Sequence, residues 1–501
     1  MKYLPNGCQM KRADSYTIRE LFVPSLTLME RAAAACVDVI QKKQSELTHI
    51  CVVCGSGNNG GDGFAVARMF REKGFQVTAV MAGNPEHCTE ETVYQRELFE
   101  KAGGVICDEF TAGEYSIIID AIFGVGLGRE ICGRYYDIIR KMNEADAVKA
   151  AIDIPSGISA DTGAVMGIAF HADYTITMQC KKPGLLLSPG REYAGEVIAA
   201  DIGISEQPLA EDKETAYMLE PEDYKELIPR RRPDSNKGTY GRILMISGSR
   251  GMSGAAYLNG LAAYRTGAGL VQIYTHEDNR MILQTQLPEA IIQTYQDYNE
   301  EQLKKALKWA DVVCIGSGLG IDKQADRILR TTLENVESPC VIDADGLNLI
   351  AADKGLFENI KDKKVILTPH LKEFARLTGR EVADIRADRL KALKEFVEET
   401  RVTCVLKDSR TILLSPDERV CMNMSGCQAL AKAGSGDVLA GVLAGLLGQG
   451  LCCRDAAVLG VYLHGRAGEY AKDEYGSYGI LAREIADAVG KVLKGWEASA
   501  S

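Results

Sequence analysis

The chemistry in this chain is most visible at Leu430-Ala431-Lys432-Ala433-Gly434-Ser435-Gly436-Asp437, which runs into the apolar stretch Val438 to Gly448. Small residues precede a carboxylate, and a helix-like segment starts at it. Glycine lets the backbone approach a ligand closely, and the first N–H groups of a helix lack internal partners, so the junction suits an oligophosphate. Asp437 at its mouth is placed to take a proton from a substrate hydroxyl aimed at that phosphate. An ordinary glycine turn with Asp437 as an N-cap shows the same pattern. Alone, Gly-Ser-Gly-Asp does not choose between them.

The first half carries three further loops of this kind. Gly55-Ser56-Gly57-Asn58-Asn59-Gly60-Gly61-Asp62-Gly63 follows an apolar run and is dense enough in glycine for backbone contact with a pyrophosphate. Asp120-Ala121-Ile122-Phe123-Gly124-Val125-Gly126-Leu127-Gly128-Arg129 and Asp153-Ile154-Pro155-Ser156-Gly157 follow two more such runs. Each loop singly is explained by a capped βα turn; together, at successive strand ends, they define a site. Asn59, Asp120 and Ser156 are hard oxygen ligands with no Cys or His, so any ion they hold is alkali or alkaline-earth. Asp153 is a candidate acid/base. Lys182, in Cys180-Lys181-Lys182-Pro183-Gly184-Leu185, is either its complementary charge or a surface lysine.

The elements that position these loops read as alternating strand and helix. In the first half, strands are predicted at 50–54, 76–81, 116–120, 150–154, 174–178 and 197–200, and helices at 64–73, 89–102 and 135–145. Thr27-Leu28-Met29-Glu30 reads as a capping box for an earlier helix. The second half is predicted to place strands at 243–247, 270–274, 311–316, 340–343, 365–368, 403–406 and 411–414. Its helices are predicted at 254–266, 301–309, 324–333, 387–400, 436–447, 456–470 and 482–492. Alternation implies parallel sheets covered on both faces, with ligands at the carboxyl ends of strands. The polar stretch Ser205 to Glu222, with Pro208 and Pro221, reads as a linker, giving α/β domains over 1–210 and 222–501.

At 501 residues the chain has room for two cores, and its 46% hydrophobic and 25% charged content is that of a globular protein. A net charge of −11 argues against a nucleic-acid or anionic-membrane surface. The Val438–Gly448 run is too short to span a bilayer, and Met1 to Asn6 lacks the apolar core of a signal peptide, so a cytoplasmic location is expected. The 15 cysteines, odd in number and set in apolar runs, read as reduced core thiols. Cys51 and Cys54 form a CxxC, but on a strand they face opposite ways.

Taken in order, Met10 with Asp14, Leu28-Met29-Glu30-Arg31-Ala32-Ala33, Gly57 to Gly63, Asp120 to Gly126, Asp153 to Gly157 and Lys182-Pro183-Gly184 resemble the NAD(P)H-hydrate epimerase family. The resemblance covers nearly the whole first half. It implies a Rossmann-like domain that interconverts the R and S epimers of hydrated NADH and NADPH. Carried over, Asn58, Asn59, Gly60, Gly61 and Asp62, with Gly124, Val125, Gly126, Leu127, Gly128, Arg129 and Glu130, hold the substrate. The resemblance also gives potassium to Asn59, Asp120 and Ser156, and proton transfer to Asp153, with Lys182 beside it. Val125, often threonine in relatives, is a mild departure.

In the second half, Lys237 to Arg242, Ser247-Gly248-Ser249, Leu287-Pro288-Glu289, Gly316-Ser317-Gly318-Leu319-Gly320, Asp343-Ala344-Asp345-Gly346-Leu347-Asn348, Thr368-Pro369-His370 and Lys407 to Thr411 join the opening stretch. This set, from about Pro221 to Ile485, resembles the NAD(P)H-hydrate dehydratase family, a ribokinase-like fold using ADP, or ATP in some branches, on the S epimer. By residue match, Ala255, Gly318, His370 and Asp437 contact the hydrate. Lys407, Asp408, Ser409, Arg410, Thr411, Gly434, Ser435 and Gly436 contact the nucleotide, with Mg²⁺ expected on its phosphates. Lys407-Asp408 stands where the family has Lys-Gly, and an acidic side chain there is expected to crowd or repel a phosphate. Gly426-Cys427 stands where it has Gly-Asn. Both families commonly assemble, so a homo-oligomer is expected.

Two other readings use the same residues. A ribokinase-class kinase for a small alcohol, with a regulatory nucleotide-binding domain in front, would use Asp437 identically but leaves Thr368-Pro369-His370 unexplained. A first half that only senses a dinucleotide would not need Asp153 and the oxygen ligands.

Overall fold

Apolar, β-branched runs of a few residues form the strands, because such side chains pack well on a pleated surface covered from both sides. The computed structural model describes residues 1–500, and the chain divides into a unit spanning Lys2–Tyr217 and a unit from Met218 onward.

In the first unit, β1 (His49–Cys54), β2 (Gln76–Met81), β3 (Val105–Cys107), β4 (Ile117–Ala121), β5 (Val148–Ile152), β6 (Tyr174–Met178) and β7 (Glu196–Ala200) form a seven-stranded sheet. Its order is β3-β2-β1-β4-β5-β6-β7, and every neighbouring pair is parallel. The connections run outward in both directions from the β1–β4 pair, so a crevice opens above those two strand ends. One face packs Val52 and Cys54 under α1 (Gly7–Arg19), α2 (Ser25–Lys43) and α3 (Asn58–Glu72); the other packs Cys51 and Val53 under Ile138, Ile139 and Met142. The two CxxC thiols therefore lie in different cores, as period-two alternation predicts.

Three local expectations are corrected. Helix α2 begins at Ser25 with no side-chain cap, and Glu30 is drawn away to Arg68, whose Nη2 donates to its carboxylate at 2.7 Å. Helix α3 begins at Asn58, so Asn58 to Asp62 are its opening turns and not a loop before it. The 205–217 stretch, read as linker, belongs to the first unit: Leu209 is buried in the same core as Ile202 and Ile204. The edge strand β3 was not predicted, because Val105 is exposed and the strand is only three residues long.

The second unit's sheet runs β16-β15-β14-β13-β12-β11-β8-β9-β10. Its strands are β8 (Arg242–Ile246), β9 (Leu270–His276), β10 (Ile291–Tyr295), β11 (Val312–Ile315), β12 (Cys340–Ile342), β13 (Val365–Leu367), β14 (Thr403–Leu406), β15 (Ile412–Leu414) and β16 (Cys421–Met422). The β8 to β14 part is parallel, and β14-β15-β16 is antiparallel. β10 and β16 had no clear sequence signal; one sits at an edge and the other is two residues long. A second switch point falls between β8 and β11. The loops after them, 247–252 and 316–322, face it together with α4 (Ser253–Thr266), α5 (Asp345–Ala352), α6 (Leu371–Thr378) and α7 (Ser435–Gly448). The Asp343–Asn348 and Thr368–Glu373 stretches, read as loops, are strand-to-helix junctions opening α5 and α6.

Helix α7 is the apolar run of the sequence, and its residues 438–447 are buried. Its glycines set how near it lies to α4: a Cβ at Gly441 would overlap the Asn259 carbonyl, and one at Gly445 would approach Thr266 Cβ at 2.8 Å. Among the described residues, no helix is long and apolar enough to cross a membrane.

Candidate active sites

The crevice above β1 and β4 is a cavity of about 600 Å³. Its wall includes Asn58, Asn59 and Asp62 from α3, Gly124 to Leu127 after β4, and Asp153 and Lys182 from beyond β5 and β6. Helix α1 closes one side with Met10 and Asp14, which the sequence grouped with these loops, and with Lys11, which it did not single out. Gly60 and Gly61 do not line the cavity. They let α3 sit close, since a Cβ on Gly60 would overlap the Gly55 carbonyl and one on Gly61 would meet Met29. Gly128, Arg129 and Glu130 also lie off the wall, exposed on the following turn.

Lys182 is no surface lysine. It is buried, and its Nζ donates to Asp153 Oδ1 at 2.7 Å, Thr177 Oγ1 at 2.8 Å and the Met178 carbonyl at 2.9 Å. Every ammonium hydrogen is used, so the lysine serves to hold Asp153. Asp153 itself has φ 65°, a left-handed conformation that costs a non-glycine residue energy and here turns its carboxylate toward the Gly124-Val125 loop. Thr177 and Met178 were not singled out by the sequence; lying on β6, they gave no signal beyond strand propensity.

Behind the wall sits Asp120, fully buried. Its carboxylate accepts from Ser156 N and Oγ, both at 2.7 Å, and from Ile122 N at 3.1 Å, all neutral donors. Burial pushes its pKa up to about 6, and the Ser156 bonds work against that rise. A carboxylate desolvated without a basic partner is an expensive arrangement that a bound cation would relieve. Nearby, Asn59 Nδ2 is buried with no hydrogen-bond partner, and Asn59 Oδ1 would stand 3.2 Å from a Cβ placed on Gly124. The donor set of Asn59, Asp120 and Ser156, all oxygen, fits a hard alkali or alkaline-earth ion.

In the second unit, Gly434 caps α7 with φ 89°, and Asp437 lies on the first helical turn. At that position the N–H groups of Gly436 and Asp437 have no intrahelical acceptor. Asp437 is raised to about 6, first by burial and then by the charge of Asp343, while Ser317 and Lys407 pull it down. Lys407 Nζ donates to Asp343 Oδ1 at 2.8 Å, and Thr368 Oγ1 to the same oxygen at 2.7 Å. Asn259 fixes the region from α4, its Nδ2 donating to the Asp437 carbonyl at 2.7 Å and to Ser317 Oγ at 3.2 Å. Asn259, Ser317, Asp343 and Thr368 thus complete the site. Asp343 and Thr368 ended predicted strands and Ser317 stood between glycines, whereas Asn259, mid-helix, had no sequence signal.

Ala255 and Gly318 lie side by side: Gly318 has φ 59°, and a Cβ there would come within 2.9 Å of Ala255 Cβ. His370 is the N-cap of α6, its Nδ1 accepting from Lys372 N at 3.1 Å and Glu373 N at 3.2 Å. Accepting at Nδ1 leaves Nε2 as the N–H donor, and burial with the Lys407 charge lowers its pKa. Ser435 turns its hydroxyl inward, 3.2 Å from Nε2 of buried His464, so what it offers a nucleotide is backbone. Asp408 is engaged within the protein. It pairs with buried Arg389 at 3.5 Å and accepts from Ser409 N at 2.8 Å, so its charge is answered inside the protein. Arg410 donates to the Met424 carbonyl at 3.1 Å, and Thr411 Oγ1 to the Asp408 carbonyl at 3.4 Å, shaping this turn.

Because α7 touches α4 at Gly441, Gly441→Ala is expected to push Asn259 off both Asp437 and Ser317. Overpacking of this kind costs about 1–3 kcal/mol. A lower melting temperature with reduced turnover at the second site checks it; unchanged turnover would mean Asn259 does not order Asp437.

Fold and sites together define a two-domain α/β enzyme: a parallel-sheet unit with an acidic cavity, followed by a ribokinase-like unit with a carboxylate at a glycine-capped helix. The model of the NAD(P)H-hydrate dehydratase family matches residues 243–491, and that of the YjeF-related protein N-terminus matches 25–184. The chain is 34% identical to the bifunctional NAD(P)H-hydrate repair enzyme of Moorella thermoacetica, over 99% of this chain and 97% of that one. It is 35% identical to the Escherichia coli enzyme of the same name, over 93% and 89%. Among solved structures, a ribokinase-like superfamily protein of Enterococcus faecalis matches with TM-score 0.50 and 28% identity, over 56% of this chain and 96% of that one. The chain belongs to the bifunctional NAD(P)H-hydrate repair enzymes.

Proposed function

We propose that the first unit epimerises hydrated NADH and NADPH at the cavity above β1 and β4, and that the second dehydrates the S epimer with ADP. The observation that carries the second half is Asp437, a carboxylate raised to about 6 by burial, at a helix mouth where the N–H groups of Gly436 and Asp437 lack intrahelical acceptors. The hydrate bears a hydroxyl at C6 of the reduced nicotinamide ring, and hydroxide is a poor leaving group. Asp437 takes the hydroxyl proton as its oxygen attacks the terminal phosphoryl of the nucleotide, and the Gly434–Gly436 turn faces the charge that develops. The ring nitrogen lone pair then expels phosphate, and loss of the C5 proton restores NAD(P)H. Lys407, braced by Asp343, supplies positive charge beside the transferring group, and His370, whose Nε2 lies 3.4 Å from Glu373 Oε1, borders the hydrate from the start of α6. Mg²⁺ on the nucleotide would neutralise its phosphates.

In the first unit, Asp153 moves the proton of the C6 hydroxyl, oriented by Lys182. Lys11 and the Gly124–Leu127 turn form the part of the wall suited to the substrate's phosphates. Asn59, Asp120 and Ser156 would hold potassium, which supplies the charge that settles the buried Asp120 carboxylate and so shapes the loop carrying Gly124.

The deciding experiment follows recovery of reduced-nicotinamide absorbance from a mixed R and S hydrate, with ADP and with ATP separately, in potassium buffer. Complete recovery is expected with at least one nucleotide. Recovery that stops at the S fraction would refute the epimerase half, and none with either would refute the dehydratase half. Exchanging potassium for a bulky organic cation is expected to slow R-hydrate conversion and leave S-hydrate dehydration at its potassium rate. Equal slowing of both would count against the Asp120 ion site.

A further inference from the structure

The mechanism above gives the epimerase cavity a carboxylate but no acid, and Asp62 is built to be one. It stands on the second turn of α3, half-buried in the cavity wall that also holds Asp153. Its carboxyl has no hydrogen-bond or ion-pair partner among the described residues. Lys182, the nearby base, is spent on Asp153, Thr177 and Met178. The charged groups facing this part of the cavity are Lys11 and Asp14 from α1, Glu91 across the mouth, and the Asp153–Lys182 pair. Helix α2 adds the buried Cys36 thiol, itself raised by burial. Burial, then the charges of Asp153 and Asp14, push Asp62 well above the usual carboxylate range. The two aspartates thus differ in kind: Asp153 carries a charge-assisted bond from a lysine, and Asp62 accepts a hydrogen bond from none of the described residues.

We propose that Asp62 is the general acid of the epimerisation, working opposite Asp153 as base. This rests on the reading of this cavity as the epimerase site. Opening the hydrate ring inverts C6 without loss of any atom. Asp153 accepts the C6 hydroxyl proton, and that O–H pair becomes the C=O of an aldehyde as the C6–N1 bond breaks. The N1 electron pair takes the Asp62 proton. Rotation about C5–C6 presents the other aldehyde face; N1 adds to it, returns a proton to Asp62, and the new alkoxide recovers the proton from Asp153. Both carboxyl groups end as they began. One carboxylate held by an ammonium group and one carboxyl left without a partner in the same cavity is the pairing such a reaction needs.

The test is the kinetics of R-to-S conversion in the full-length protein over a pH series. The wild type should lose kcat/KM as pH rises past the Asp62 titration, because the acid must carry its proton. Asp62→Asn should lower kcat by roughly 100-fold or more, within the range removed with a general acid, and abolish that alkaline limb. Asp62→Glu, which retains an acid, should recover much of the loss. Asp62→Asn with wild-type kcat would overturn the proposal, and so would a wild-type profile with no alkaline limb, which covers the case of a variant that does not fold. A wild type that leaves the R hydrate unconverted would overturn the epimerase assignment itself, a separate failure.

Discussion

Asp437→Asn is expected to abolish dehydration, with kcat reduced by about 10²–10⁴-fold, the usual span for a lost acid/base group. Nucleotide binding should survive, because Asn keeps the side-chain volume and the helix-mouth N–H groups are backbone. The pH dependence follows from the same residue. Asp437 acts as a base, so it must be ionised, and burial beside Asp343 has raised it to about 6. The rate constant kcat/KM should therefore rise with pH and level off above about 6. The variant should show neither the rise nor the plateau. Stopped recovery of reduced nicotinamide, with nucleotide affinity measured by calorimetry, reads both. Asp437→Asn with full activity would remove Asp437 from the reaction.

The second large effect is expected at Lys182. Its side chain is 1% exposed, and its three bonds account for every ammonium hydrogen. Lys182→Met leaves Asp153 buried with only longer contacts, from Thr177 Oγ1 at 3.3 Å, Val125 N at 3.3 Å and Met178 N at 3.4 Å. Removing one partner of a buried ion pair costs about 3–5 kcal/mol, because the other charge stays desolvated. The left-handed backbone of Asp153 then loses the bond that justifies it. Epimerisation should disappear and the first unit's unfolding midpoint in urea should fall, while the second unit's transition stays put. Combining Lys182→Met with Asp153→Asn removes both charges, and Asn tolerates the left-handed conformation. Stability should then return without activity. A stable single variant would show that the pair is not buried as described.

The chemistry in this chain was written locally, and so was readable. Asp437 after Gly434-Ser435-Gly436, Asp153 before Pro155-Ser156-Gly157, and Asn58 to Asp62 in a glycine run each sit at a strand or helix end, where backbone groups lack partners and small residues let ligands approach. Alternating apolar runs determined two mainly parallel sheets, though not the antiparallel edge β14-β15-β16, for a related reason: strands buried on both faces must be apolar throughout, and Gln76–Met81 and Tyr174–Met178 fall on the predicted bounds. The period-two rule likewise separated Cys51 from Cys54.

What only the tertiary structure decided was which charge answers which. Nothing in Cys180-Lys181-Lys182 tells that the second lysine turns inward, because the choice depends on the position of Asp153, 29 residues away. Asp408 looked hostile to a phosphate until Arg389, on another element, claimed it. Thr27 with Glu30 had the spacing of a capping box, yet Arg68 across the helix pair offered Glu30 a charged partner in place of the backbone. Asn259 carries no mark at all in sequence; it matters because glycines on α7 bring that helix within reach of its amide. Spacing along a chain governs local backbone geometry, whereas pairing of buried charges is a question of three-dimensional distance and desolvation, and that is settled only when the sheets and helices close.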